Sequence, residues 1–195
     1  MAIFGFFGKA TRVAPAICKI ERTDTMRFKY CPDCGSRLSS KDLGDEKDVP
    51  WCEACSKPWF EMFPCCIIAI AHRDGSYALI RQQSCDEIKD DKFICVSGYI
   101  KTNETAQQAA VREVKEELGL DALSCQLIST YPYEKKQMLM IGFSVEVGEG
   151  GFTLSDELVE ARWFDENEAR EKLKNTSVGN LLFDDIIRRN KNGRN

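Results

Sequence analysis

Between Gly98 and Leu120 the chain sets Glu113, Glu116 and Glu117 within one turn of a predicted helix. Residues three and four apart are neighbours on a helix surface, and like charges so placed repel by a few tenths of a kcal/mol per pair. At about 100° per residue the three carboxylates cover an arc of roughly 100°, beside an apolar stripe of Val111, Val114 and Leu118. The helix has readable ends: Thr105 followed by Gln108 is a capping-box pattern, and Gly119 stands where a left-handed residue closes a helix. A rigid element of this kind can hold three oxygens together if something cationic sits against them. The competing interpretation of an acidic helix turn is a solvated face. Against it stands the larger pattern, in which Gly98, Glu104, Arg112, Glu113, Glu116, Glu117 and Gly119 keep fixed intervals.

Those intervals match the Nudix box: glycine, five residues, glutamate, seven residues, then Arg-Glu-hydrophobic-any-Glu-Glu-any-Gly-hydrophobic. The chain therefore resembles the Nudix superfamily, whose box forms a loop-helix-loop binding Mg²⁺ or Mn²⁺ and whose reaction is hydrolysis of a nucleoside diphosphate linked to another group. The chemistry agrees with the residue types. Hard divalent cations take oxygen ligands and bridge carboxylates to substrate phosphates, drawing charge off the phosphate and making a bound water nucleophilic. Arg112 is suited to orienting a glutamate through charge-assisted hydrogen bonds, Gly98 to close backbone approach ahead of the helix. By resemblance, the carbonyl of Ser97 is a further metal ligand.

Cys31-Pro-Asp-Cys34 and Cys52-Glu-Ala-Cys55 form two C-x-x-C knuckles separated by seventeen residues. That spacing suits a tetrahedral Cys₄ zinc ribbon, in which each knuckle supplies two thiolates and the loop between lets the pairs converge. Two structural disulfides, or a thioredoxin-like redox pair, are the competing readings; the first conflicts with a cytoplasmic setting and the second needs one motif beside a βαβ unit. A module this short has little core, so the metal would supply much of its folding free energy. The acidic run from Asp42 to Asp48 is read as a solvated loop, and Cys18, Cys65, Cys66, Cys85, Cys95 and Cys125 as packed thiols.

A chain of 195 residues, 43% hydrophobic and 30% charged, can bury one core and carry a small appended module. Its net charge of −4, without clustered Lys and Arg, argues against a general binder of nucleic acid or anionic membrane. The apolar stretch Ala2 to Gly8 lacks a positive flank, and no run approaches the roughly 18 apolar residues of a membrane span. A cytoplasmic protein with no membrane partner is expected. The predicted organisation is a lead-in over 1–25, a zinc ribbon over 26–62 and a Nudix domain over 63–195, with Trp51, Trp59, Phe60 and Phe63 as candidates for contact between the last two. From Pro64 onward the pattern is α/β. Strands are predicted over Cys65–His72, Tyr77–Gln82, Phe93–Val96, Ser124–Tyr133, Gln137–Val147 and Ala161–Phe164, with closing helices over Glu166–Lys174 and Val178–Arg189. The order implies an α/β/α sandwich around a mixed sheet.

A ribbon followed by this box, with Asp156-Glu157-Leu158-Val159-Glu160-Ala161-Arg162-Trp163-Phe164 late in the chain, resembles the zinc-ribbon NADH pyrophosphatase branch of the superfamily. The resemblance implies that Glu157 joins Glu113, Glu116 and Glu117 around the metals, with Arg112 as the orienter of a glutamate. It also implies cleavage of an NADH- or NAD-type dinucleotide into two mononucleotides, and homodimers among the relatives. The branch's specificity motif, Ser-Gln-Pro-Trp-Pro-Phe-Pro-Gln-Ser-Leu-Met, is only partly kept over Thr130 to Met140, which places Tyr131, Tyr133 and Gln137 as candidate substrate-binding residues. An aromatic there can stack on a base, and Lys135 or Lys136 can meet an additional phosphate; the same segment also reads as a plain hairpin. His72, the one histidine, is read as structural. Two further functions stay open at this point: the same hydrolysis on ADP-ribose, a diadenosine polyphosphate or a nucleotide sugar, and a sensor that binds nucleotide or an RNA 5′ end without turnover.

Overall fold

The computed structural model describes residues 29–60, 64–82 and 92–192. The lead-in, Cys18, Cys85 and Phe63 lie outside the described residues. By contacts the chain falls into two compact units divided between Glu61 and Met62.

The first unit is a three-stranded antiparallel sheet of β1 (Ser39–Leu43), β2 (Glu46–Cys52) and β3 (Lys57–Pro58), in that spatial order. The acidic run read as a loop is a β-hairpin instead, its strands joined through Gly44. Period-2 patterning is weak here because these short strands expose most of their side chains, which hides them from sequence reading. Lys47 pairs with Asp42 at 2.7 Å across the hairpin. The small core gathers Cys31, Leu38 and Cys52, with Cys55 and Trp59 against it.

The second unit carries β4 (Cys65–Arg73), β5 (Ser76–Gln82), β6 (Val96–Tyr99), α1 (Ala106–Leu118), β7 (Ala122–Tyr133), a single 3₁₀ turn (Glu134–Lys136), β8 (Met138–Val147), β9 (Leu158–Phe164), α2 (Glu166–Leu173) and α3 (Ser177–Asn192). The sheet runs β7-β8-β4-β5-β9, with β6 pairing β4 off that path. It is mixed: β4 and β8 are parallel, and the other pairs are antiparallel. Because β4 is buried on both sides, its side chains divide by parity. Cys66, Ile68 and Ile70 join one apolar cluster with Leu79, Leu182, Phe183 and Ile186, while Ile67, Ala69 and Ala71 join another with Val96, Val114 and Leu118. The sheet therefore lies between α1 on one face and α2 with α3 on the other.

Sequence and structure part at β6, which is expected over Phe93–Val96 and found over Val96–Tyr99. Gly98 obscures the strand by breaking its hydrophobic alternation, but its backbone pairs with Ile67 and that of Ser97 with Ile68. Phe183 anchors the α3 face: fully buried, it meets Tyr77 edge-on at 4.9 Å. Phe183→Ala should destabilise the protein by about 3–5 kcal/mol, as a cavity in a packed core does, read as a lower urea midpoint at unchanged m-value.

Candidate active site

Helix α1 carries the capping box that its sequence announces. Thr105 Oγ1 accepts from the Gln108 amide at 3.2 Å, and Gln108 Oε1 accepts from the Thr105 amide at 2.9 Å. Ala109, Ala110, Val114, Glu117 and Leu118 make its buried side. Val111, predicted in the apolar stripe, is only half-buried. The helix thus turns its core face so that one of the three glutamates goes inward with it.

Arg112 organises the others. Its Nε and Nη2 bond both oxygens of Glu104, at 2.7 and 2.9 Å, and its Nη1 bonds Glu113 at 2.6 Å and Glu116 at 2.9 Å. Nη2 also donates to the Tyr99 carbonyl at 2.9 Å. Sequence reasoning assigns Arg112 one glutamate; the guanidinium serves three, because its five donors fan out in a plane. The Arg112 hydrogen bonds hold the Glu104 carboxyl well below its usual range, at about 2. Glu104 accepts in addition from the Lys101 amide at 2.9 Å, fastening the loop ahead of α1.

A cavity of about 590 Å³ opens beside this network, lined among others by Ser97, Glu113, Glu116, Glu117 and Glu157. Glu117 is only 6% exposed, and its Oε2 has no hydrogen-bond partner. Burial, and then the charges of Glu113, Glu157 and Glu116, push its carboxyl up to about 8. A buried, unbonded carboxylate oxygen facing three more carboxylates is a costly arrangement unless a cation offsets it. The donor set is all oxygen, which fits a hard divalent ion such as Mg²⁺ or Mn²⁺. These oxygens do not form a closed ligand cage: among the described residues the four ribbon cysteines are the one group of three or more His, Cys, Asp or Glu whose ligand atoms all lie within 4.8 Å of one another.

Two glycines set the approach distances. A Cβ on Gly98 would overlap the Glu113 carboxylate, so β6 lies against the acidic side chain only because that position has no side chain. Gly119, at φ 73°, closes α1, and a Cβ there would come within 2.6 Å of Thr153. The Thr153 amide donates to the Leu118 carbonyl at 2.9 Å, and Ser155 to the Glu117 carbonyl at 3.3 Å. Those bonds seat the loop that carries Glu157 on the end of the acidic helix. Arg73 fastens the same loop from its other end, donating to the carbonyls of Gly148 and Gly150, each at 3.0 Å, while lying over Trp163.

The three candidate substrate residues separate. Tyr133 lines the cavity. Tyr131 does not: it is 6% exposed, packed in the cluster beneath α3, and its hydroxyl donates to Asp185 at 2.8 Å. It stands two residues from Tyr133 on the same strand face, and that face runs from the cavity into the core. Gln137 is exposed at the end of the 3₁₀ turn and is also absent from the lining. Sequence reasoning misses Cys66, Gln82, Tyr99, Met138 and Met140 as lining residues. Tyr99 is 65% exposed although it immediately follows Gly98 in the box, and that adjacency is the signal that could have found it. His72 sits half-buried on β4 away from the cavity, its pKa lowered by burial.

In the ribbon unit, Cys31, Cys34, Cys52 and Cys55 converge with all four sulfurs within 4.8 Å, and none is disulfide-bonded. Cys34 and Cys52 stand 3.5 Å apart, Cys31 and Cys55 3.9 Å. The Trp59 indole donates to Cys31 Sγ at 3.2 Å. Hydrogen bonds from Ser36 lower the Cys34 thiol to about 6, giving it the thiolate character a metal ligand needs. Four converging soft donors fit zinc.

The NUDIX domain family matches residues 64–183, well over half of the chain. The chain belongs to the Nudix family. Among curated relatives of this Nudix protein, the NAD-capped RNA hydrolase NudC of Vibrio atlanticus is 31% identical over 144 residues, 72% of this chain and 51% of that one. The NAD-capped RNA hydrolase NUDT12 of Macaca fascicularis is 30% identical over 155 residues, 75% of this chain and 33% of that one. The chain thus spans about half the length of the first relative and a third of the second. Two solved Nudix hydrolase structures from Nitrosomonas europaea share the fold, one with TM-score 0.62 at 20% identity, covering 82% of this chain and 88% of its own. The other has TM-score 0.55 at 24% identity, covering 64% and 88%.

For this Nudix site two outcomes are expected. A carboxyl raised above its unfolded value contributes stability that is full below the ordinary carboxylate range and is lost as pH rises toward about 8. A divalent cation held by Glu117 would replace that proton, so MgCl₂ should raise the melting temperature more at pH 8 than at pH 5, with the difference shrinking in Glu117→Gln. Gly98→Ala should weaken Mg²⁺ binding, read as a higher half-saturating concentration, since the new methyl takes the place of the Glu113 carboxylate.

Proposed function

We propose that this protein is a divalent-metal-dependent diphosphatase that cleaves an NADH- or NAD-type dinucleotide into two mononucleotides. The observation that carries the proposal is the unbonded Oε2 of buried Glu117, set among Glu113, Glu116 and Glu157 in one cavity with two tyrosines. The relatives named NAD-capped RNA hydrolases support a dinucleotide-type substrate. A diphosphate needs charge neutralisation, which the acidic wall cannot give by itself, and a flat ring needs an aromatic surface, which Tyr99 and Tyr133 provide.

In this reading Glu113, Glu116, Glu117 and Glu157 would hold the divalent ions, with Ser97 beside them. The ions supply charge neutralisation at the phosphate oxygens and activation of water. Arg112 fixes Glu113 and Glu116 before substrate arrives, so little reorganisation is left for the reaction itself. Tyr99, exposed at the cavity, offers its ring to a base. Water adds to one phosphorus, the bridging P–O bond breaks in line, and the departing mononucleotide takes the bridging oxygen. Catalysis by this chain is thus mainly positioning. Residues 26–62 are assigned as the ribbon, with Cys31, Cys34, Cys52 and Cys55 holding structural zinc, and 63–195 as the catalytic domain.

Assayed with Mg²⁺ over NADH, NAD⁺, ADP-ribose, diadenosine polyphosphates and NAD-capped RNA, the protein is expected to turn over the dinucleotide class best. Glu117→Gln should lower kcat by about 100-fold or more with its circular dichroism spectrum unchanged. Near-wild-type turnover by that variant would show that the acidic cavity is not the reacting site.

A further inference from the structure

We propose that Lys136 is a specificity-determining residue of this cavity: its ammonium receives a phosphate group additional to the diphosphate that is cleaved, so that dinucleotides with a third phosphate on a ribose are preferred. The inference deepens the diphosphatase reading above and rests on it for the position of the scissile bond.

Three cationic side chains line the cavity, and two are already engaged. Arg112 is saturated by Glu104, Glu113, Glu116 and the Tyr99 carbonyl. Lys101 pairs with Glu116 at 3.5 Å. Lys136 has no acidic partner within 4.0 Å among the described residues, although the cavity it lines holds four glutamates. Burial, and then Cys65, push up the Cys66 thiol, which also lines the cavity, and the positive charge of Lys136 acts the other way.

The position of Lys136 is set by the chain. It ends the one-turn helix that joins β7 to β8, and the turn is closed by the Gln137 amide donating to the Glu134 carbonyl at 3.0 Å. The strands on either side are in register up to the pair Tyr133 and Met138, so the turn projects from a fixed hairpin end. All three residues of the turn, Glu134, Lys135 and Lys136, are exposed, and Glu134 and Lys135 do not line the cavity. Of the three charges on the turn, only the one at Lys136 enters the lining.

The chemistry then selects the ligand. An ammonium is a compact point charge with three donors, suited to a phosphate oxygen. The carboxylates engage the divalent ions and through them the diphosphate; a further phosphate in the same cavity would be repelled by that wall unless a free cation met it. Cys66, Met138, Met140 and Tyr133, which share the lining with Lys136, form an apolar surface against which a charge pair is screened less than in open water.

The test compares NADPH with NADH, which differ by one ribose 2′-phosphate, in the wild type and in Lys136→Gln, Lys136→Arg and Lys135→Gln. The wild type should favour NADPH in kcat/KM. In Lys136→Gln that preference should fall about tenfold, chiefly through KM, while Lys136→Arg and Lys135→Gln should keep it. An unchanged NADPH-to-NADH ratio in Lys136→Gln would overturn the assignment, as would equal losses on both dinucleotides, which would place Lys136 at the scissile diphosphate. Equilibrium binding of adenosine 2′,5′-bisphosphate against AMP separates this claim from the one it rests on. If neither dinucleotide is cleaved yet Lys136→Gln weakens the bisphosphate selectively, the diphosphatase reading fails and the phosphate site stands. If NADH is cleaved and the two nucleotides bind the variant in the wild-type ratio, the phosphate site fails alone.

Discussion

The Arg112 guanidinium is the interaction on which the rest of the cavity depends. Without it, Glu104 from the loop ahead of α1 and Glu113 and Glu116 from the helix itself would be three like charges within reach of one another, beside a Glu117 that is already buried. A planar fork with five donors converts that repulsion into a fixed arrangement and leaves carboxylate oxygens free to face the cavity. The bond from Nη2 to the Tyr99 carbonyl ties the same fork to β6, so the strand carrying Ser97 and the helix carrying the acids are registered to each other by one side chain.

Glu117 shows what that order is for. A fold selected only for stability would not keep a carboxylate oxygen buried and unbonded amid three neighbours of like charge. Such local costs collect at functional sites, where a ligand relieves them. The parts of the chain that bear the strain are firmly held: a capping box before the helix, a glycine closing it, and a loop hydrogen-bonded back onto its last turn.

Much of the α/β order is legible in the sequence because β4, β5, β8, α1 and α3 carry strong periodic patterns with clear punctuation. The acidic helix is legible for a different reason: three carboxylates crowded on one turn repel one another, which marks a place where a cation can be held. Whatever the third dimension decides is hidden. Tyr131 and Tyr133 lie on the same strand face, yet one enters the core under α3 and the other reaches the cavity, because the helix covers only part of that face. The hairpin across Asp42 to Asp48 escapes sequence reading since exposed short strands have no apolar alternation. Cys66 reads as a packed thiol, and it does lie in the core with Met140; that these residues and Met138 also border the cavity follows from the pairing of β4 with β8 across some seventy residues of chain.

That double membership has a consequence for how such a cavity can change. Cys66 and Met140 belong to the apolar cluster under α3, with Met138 and Tyr133 packed against it, whereas the acidic helix rests on the separate cluster across the sheet. Repacking beneath α3 can therefore reshape that wall of the cavity while the acidic helix keeps its own foundation. Two independently adjustable halves meeting at one cleft give a lineage room to drift between substrates without first losing its chemistry.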